Sequence, residues 1–396
     1  MNNKSILFLV LVALVFVSVC FAANPIISDR FTADPAAMVY NGRVYLYTGH
    51  DEATAGATAF NMRNWLCYSS ADLINWTYHG SPLAVSNFGW ARADAWAGHV
   101  VYRNGNFYWY ICAEHRYISG KAIGVAVSNS PIGPFTDARG TALVTNDMTT
   151  QINSQWDDID PAVFIDDNGQ AYLFWGNTRC YWARLKSNMI ELDGGINVIS
   201  SSNLPNFTEA PWVHKRNGTY YLSYAYGWPE EIHYATSSSP TGSWTYRGIL
   251  NDRIPNCGTN HQSIIEFNGN WYFFYHTAAL SGGHEYRRSV CLDHLYYNSN
   301  GTMKKVMMTS SGIGGPSPTP LVPVTGVNYT FVNRNSGKLL EVANASTADG
   351  ANVQQWTSNG HNCQKWRLES AGSGYYRIVN VNSGKLLEVQ NALTSD

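Results

Sequence analysis

The sequence is short of charge. Asp, Glu, Lys and Arg make up 14% of its 396 residues, against roughly 25% in an average soluble chain. Lys plus Arg is 26 and Asp plus Glu is 28, a formal net charge of −2. With no basic excess the chain lacks the field that neutralises phosphate, which excludes nucleic acid as its principal partner. Cysteine is sparse, 7 in all, and no C-x-x-C pair occurs. That excludes a patterned zinc site, and the chain is too long for a disulfide-built fold. Glycine, at 34, is neither dense nor periodic enough for a fibrous protein. Helical periodicity is nearly absent. Long apolar runs are absent after the first segment, so no later stretch resembles a membrane-spanning helix. What is present is an apolar fraction of 45%, enough to fold, and an aromatic fraction of 14% with 25 Tyr, 15 Phe and 14 Trp. Aromatic-rich, charge-poor surfaces suit sugars, whose apolar faces stack on rings.

The one long apolar run opens the chain. Residues 1–22 carry Lys4, an apolar stretch from Ile6 to Val17, and small residues near Ala22. This is the pattern of a secretory signal peptide cut after Ala22. It predicts a secreted, extracellular protein that keeps no membrane contact after cleavage.

Beyond it an internal repeat organises the chain. NGRVYLYTG (41–49), NGNFYWYIC (104–112), NGQAYLFWG (168–176), NGTYYLSYA (217–225) and NGNWYFFYH (268–276) share a turn and an aromatic strand. Asn-Gly between apolar runs predicts a hairpin, because both turn positions take positive φ. Each turn follows a second strand-like run, and further strands fit between the hairpins. Repeats of roughly 50–65 residues with about four strands each predict an all-β fold, a five-bladed β-propeller over residues 24–312.

The repeat then locates the chemistry. Eight or nine residues before the turn glycines stand Asp34, Trp96, Asp160, Glu209 and His261. In a propeller these positions converge on the central axis. Three carboxylates there repel one another and are expensive to bury, which points to a site that uses raised pKa values. The competing reading is turn capping by Asp-Pro at Asp34 and Asp160. Asp157, Asp158, Asp166 and Asp167 read as solvated turn residues.

The segments TADPAAMVYNGRVYLYTGHDE, DDIDPAVFIDDNGQAYLFWGN and FTEAPWVHKRNGTYYLSYA resemble the signature regions of glycoside hydrolase family 43. SSADLINW (69–76) and YRRSVCLDHLYYNSNGTMKKV (286–306) resemble it too. The resemblance implies a five-bladed propeller that hydrolyses glycosidic bonds with inversion. It implies catalytic roles for Asp34 as general base, Glu209 as general acid and Asp160 as the group that tunes and orients the acid. A negative Asp160 close to Glu209 would keep that acid protonated. Trp96 is expected either as a sugar wall or as inter-blade core. His261 is expected on the axis as a candidate substrate contact, with a buried hydrogen-bonded residue or a neighbour of a structural calcium ion as its other readings. Arg288 is expected either to reach the sugar or to form an ion pair. No cofactor is required. The implied substrate is a hemicellulose polysaccharide, foremost the arabinofuranosyl side chains of arabinoxylan. A β-xylosidase, an endo-arabinanase and a non-catalytic sugar-binding propeller are the alternatives.

Residues 313–325 are rich in Ser, Gly and Pro and read as a linker. After them NSGKLLEV recurs at 335–342 and 382–389, a period of 47, with Q-x-W-like pieces at Trp356 and Trp366. Residues 326–396 resemble a ricin-type β-trefoil, carbohydrate-binding module family 13. With about one and a half of three repeats, the expectation is a truncated module. Its Trp residues are expected in the barrel core, and Glu341 and Asn362 are the candidate sugar contacts.

Overall fold

The structure is a computed structural model that describes residues 23–152, 154–314, 327–333, 336–372 and 375–388. The expected signal peptide (1–22) lies outside the described residues, as does most of the expected linker. The described residues are all-β: they form strands and four single-turn 3-10 segments, with no α-helix. No helix among them is long and apolar enough to cross a membrane. The chain divides into two compact units, residues 1–317 and 318–396.

The first unit is built of five successive antiparallel sheets. Each opens with an Asn-Gly or related hairpin. The opening strands are Thr32–Tyr40, Gly98–Arg103, Ala162–Ile165, Phe207–Arg216 and Ser263–Phe267. Their partners are Arg43–His50, Asn106–His115, Ala171–Trp175, Thr219–Tyr226 and Asn270–Thr277. In four turns both residues are left-handed, with φ of 48° and 72° at Asn41 and Gly42 and 49° and 78° at Asn217 and Gly218. The third hairpin departs from the expected form. Gly169 alone is left-handed at 82°, and its N–H donates to the Asp166 carbonyl at 2.8 Å, so the turn is longer and starts at Asp166.

Opening strands of consecutive sheets are neighbours, and the first also neighbours the fifth. Side chains tie them. His99 Nδ1 accepts from Val163 N–H at 3.0 Å, Trp212 Nε1 donates to the Ile264 carbonyl at 3.1 Å, and Ser263 Oγ accepts from Ala37 N–H at 3.0 Å. The ends of the unit meet as well. Asn24 N–H donates to the Ser310 carbonyl and Ile26 N–H to the Val290 carbonyl, both at 2.9 Å. The first described residues thus lie along the last strand, Ser289–Leu295. Between sheets the aromatic strands form the core, with Trp65, Trp109, Trp175, Tyr110 and Tyr224 fully buried. Each such side chain contributes several kcal/mol, of order ~3, when taken from water. Among the described residues the six cysteines, Cys67, Cys112, Cys180, Cys257, Cys291 and Cys363, are buried free thiols.

In the second unit the sequence repeat is also a hydrogen-bond repeat. Asn333 N–H donates to the Lys338 carbonyl and Asn380 N–H to the Lys385 carbonyl, both at 2.8 Å. Trp366 is core, but Trp356 is 55% exposed, contrary to the expectation that both pack inside. Glu341 is also not free for a sugar. It is buried and accepts from Gln354 and Gln364, each at 2.9 Å, so it braces the two Q-x-W pieces. Asn362 is exposed and accepts from Lys365 Nζ at 3.1 Å.

Candidate active site

The three carboxylates stand where the ladders break. Asp34 sits in a bulge between Ala33 and Ala36, and Glu209 lies between two irregularities of its strand. Pro35, Pro161 and Pro211 follow Asp34, Asp160 and Ala210, and proline has no N–H for the ladder. Those three preceding residues are left-handed, with φ of 51°, 56° and 54°. For residues with a Cβ this conformation costs about 1–3 kcal/mol, and bulges of this kind re-aim side chains. The Pro-linked breaks turn the carboxylates out of the pleat and into one cavity.

That cavity has a volume of about 730 Å³. All six predicted residues, Asp34, Trp96, Asp160, Glu209, His261 and Arg288, line it. Arg288 forms the ion-pair alternative, with two carboxylates. Its Nη1 donates to Asp34 Oδ1 at 2.9 Å and its Nη2 to Asp34 Oδ2 at 3.3 Å. Its Nε donates to Asp51 Oδ2 at 2.9 Å and its Nη2 to Asp51 Oδ1 at 3.0 Å. His261 stands between the acids, its Nδ1 3.6 Å from Asp160 Oδ2 and 4.0 Å from Asp34 Oδ1. Trp96 is partly packed. Lys121 Nζ lies 3.9 Å from its ring centroid, and the Trp156 ring is 5.1 Å away.

The electrostatics separate the carboxyls. Burial pushes Asp34 up, but the Arg288 guanidinium, with His276 and His261, outweighs it and holds Asp34 well below the usual carboxylate range. Burial pushes Glu209 up to about 7; the Asn177 amide, donating at 2.7 Å, opposes this and the Asp34 charge adds to it. Asp160 is pushed well above its ordinary value by burial first and then by Glu209 and Asp34, against one hydrogen bond from Ala210 N–H at 3.0 Å. Asp160 and Glu209 therefore titrate as a unit. The physical account differs from the expected one: burial is the main cause of the raised Glu209 value, and Asp160 is itself raised. Burial lowers His261 to about 4, so it is neutral at pH 7. Near neutral pH an ionised Asp34 and the raised Glu209 and Asp160 share the cavity, which equips it both to accept and to donate a proton.

Calcium takes six to eight oxygen ligands. Beside His261 stand Asp34 and Asp160, and Asp34 is already neutralised by Arg288. Among the described residues no group of three or more His, Cys, Asp or Glu could hold a metal. The side chains around His261 therefore supply few of the oxygens that calcium takes.

Asp157 and Asp158 are not the solvated turn residues expected. Both are fully buried. Asp158 accepts from Thr149 Oγ1 at 2.7 Å and Trp175 Nε1 at 2.8 Å. Asp166 instead is braced by Lys215 Nζ at 2.9 Å, and Asp167 is exposed. Burial lifts Asp158 to about 7, above the roughly 4 of an unfolded chain. Between those values the folded state keeps a proton that the unfolded state has lost, so stability falls as pH rises through the window. Asp158→Asn, neutral at every pH, is expected to flatten that slope and to stabilise the protein by ~2 kcal/mol at about pH 8. Thermal melts across the window measure it; equal slopes in the two proteins would contradict the assignment.

Sequence reasoning missed Asp51, His276, Asn177, Asp94 and Lys121. His276 Nδ1 lies 3.3 Å from Asp34 N–H, and its Nε2 lies 3.0 Å from the Thr259 carbonyl. Asp51 and His276 end repeat strands that the pattern had delimited. Nothing in a single hairpin tells that they meet across sheets.

A family model described as glycosyl hydrolases family 43 matches residues 22–303, and one described as ricin-type beta-trefoil lectin domain-like matches residues 322–396. An arabinoxylan arabinofuranohydrolase of Bacillus subtilis is 33% identical over 342 residues, which cover 74% of this chain and 65% of that protein. This chain therefore spans less than two thirds of that relative. A xylosidase/arabinosidase of Humicola insolens is 30% identical over 70% of this chain and 97% of its own length. Among solved structures, an alpha-L-arabinofuranosidase from Clostridium thermocellum is 38% identical, with a TM-score of 0.61, over 73% of this chain and 98% of that one. The matched stretch contains every carboxyl of the cavity, and on that match the chain belongs to glycosyl hydrolase family 43.

Proposed function

We propose that the protein is a secreted, inverting glycosidase of plant hemicellulose that removes α-L-arabinofuranosyl side chains from arabinoxylan. One observation carries the reading: a carboxylate held ionised by Arg288 and a carboxyl raised to about 7 line the same cavity. Glycoside hydrolysis by inversion needs that pair. Glu209, protonated, gives its proton to the oxygen of the leaving sugar. Asp34, ionised, takes a proton from the water that attacks the opposite face of the anomeric carbon. The glycosidic bond breaks, the new C–O bond forms, and each carboxyl ends in the other's starting state. Asp160 shares the acid's proton equilibrium and, through Ala210 N–H, fixes the backbone beside Glu209. No cofactor is required.

In this reading the five sheets are the blades of a propeller, supported by the cyclic order of their opening strands. The apolar run of residues 6–17 supports export. The tail supports attachment to polysaccharide, which would raise the local substrate concentration.

The arabinofuranosyl choice is supported by the names of the Bacillus and Clostridium relatives, and the Humicola name favours xylosidase activity as the second reading. Product analysis on arabinoxylan, debranched arabinan and xylooligosaccharides decides. Free arabinose from arabinoxylan is expected. Xylose released from oligosaccharide ends, without arabinose, would replace the first reading by the second. No product from any of them would favour a propeller that only binds sugar.

A further inference from the structure

Two cations line the cavity among the described residues, and both are already bound by carboxylates. Arg288 is held by Asp34 and Asp51. Lys121 is held by Asp94, and the two differ in exposure. The Lys121 side chain is 7% exposed and that of Asp94 is 26% exposed, so the carboxylate reaches the cavity from a buried cation. The ammonium is fixed from the other side by rings, 3.9 Å from the Trp96 centroid and 5.7 Å from that of Trp156. The backbone is set as tightly. Asp94 is left-handed at φ 64°, its carbonyl accepts from Trp96 N–H at 2.7 Å, and Ala95 N–H donates to the Met62 carbonyl at 2.9 Å.

This arrangement is costly as a packing device. A buried ion pair is often no more stabilising than apolar side chains of the same volume. Its distinctive property here is a carboxylate with a fixed orientation and lone pairs to spare, since Lys121 is its described side-chain donor. The proton transfer does not need it: the described hydrogen bonds do not link the Asp94 carboxylate to Asp34, Asp160 or Glu209.

We propose that Asp94 determines specificity by accepting hydrogen bonds from hydroxyl groups of the bound sugar, with Lys121 as the residue that positions it. The proposal rests on the glycosidase reading above. It also defines the ligand class. With both lining cations neutralised, nothing in the described wall pairs with a uronate, and a carboxylated sugar would meet Asp34 and Asp94. The cavity is built for uncharged sugars.

The test is kcat and KM, measured separately, for Asp94→Asn, Lys121→Met and Lys121→Arg. The substrates are nitrophenyl α-L-arabinofuranoside and β-D-xylopyranoside, and a thermal melt of each variant reports folding. The wild type is assayed first, and the variants are compared on whichever glycoside it cleaves. Loss of a hydrogen bond to a charged group is expected to raise KM about tenfold or more in Asp94→Asn, with kcat and the pH profile little changed. Lys121→Met is expected to raise KM similarly by releasing Asp94, and Lys121→Arg to restore it in part. An Asp94→Asn variant that folds and keeps its KM within about twofold overturns the proposal. So does a loss confined to kcat with a displaced pH profile, which would place Asp94 in the proton transfer. A wild type that cuts the xyloside alone instead overturns the arabinofuranosidase reading, with Asp94 still tested on the xyloside.

Discussion

Glu209→Gln is expected to lower kcat on arabinoxylan by roughly 10²–10⁴-fold, the range that a positioned general acid contributes. The amide fills the same space and keeps a contact with Asn177, which now donates at 2.7 Å to Glu209 Oε2, but it has no proton to give. The loss therefore depends on the leaving group. It is large for a sugar alkoxide and small for a dinitrophenolate, which departs without protonation. The pH profile gives a second readout. Glu209 is raised to about 7 by burial, so the active protonated form predominates below that value. Wild-type kcat/KM is expected to fall as pH rises through about 7, and that limb is expected to vanish in Glu209→Gln. Near-normal turnover of arabinoxylan by the variant, or an unmoved alkaline limb, would take the acid's role away from Glu209.

Asp34→Ala is the second large effect. The carboxylate that Arg288 keeps ionised is lost, and with it the acceptor for the proton of the attacking water. A fall in kcat of about 10²–10⁴-fold is expected on every substrate, whatever the leaving group. That independence separates the base from the acid. Arg288 loses one partner and keeps Asp51, which holds it through two side-chain hydrogen bonds of 2.9 and 3.0 Å. The stability cost is accordingly expected below the roughly 3–5 kcal/mol of a completely orphaned buried charge. Steady-state rates on arabinoxylan and on an activated aryl glycoside, with a thermal melt, read both quantities. A variant that retains activity on the aryl glycoside would return Asp34 to a structural role.

Legibility in the sequence followed the range of the interaction. Asn41-Gly42 and its counterparts announce hairpins because a type I′ turn is a property of two adjacent residues. The third turn escaped that rule because its geometry begins at Asp166, beyond the dipeptide. Asp34, Asp160 and Glu209 were legible through the repeat, since equal spacing from equivalent turns puts side chains at equal depth. Asp157 and Asp158 misled. A run of acids next to Asp-Pro reads as a wet turn, and only Thr149 and Trp175, from other segments, convert Asp158 into a buried acceptor. Glu341 misled in the same way, because its glutamine partners lie 13 and 23 residues away.

The sequence by itself determined the all-β class, the five hairpins, the two-part organisation and the identity of three carboxyls. These follow from local backbone preference and from repetition, both written along the chain. The tertiary structure decided which carboxyl is ionised and which is protonated. That depends on Arg288 meeting Asp34 across 254 residues and on the burial of Glu209 and Asp160. It decided as well that Lys121 sits beneath Trp96 and beside Asp94. Charge state depends on distance and solvent access in three dimensions, and neither is carried by spacing along the chain.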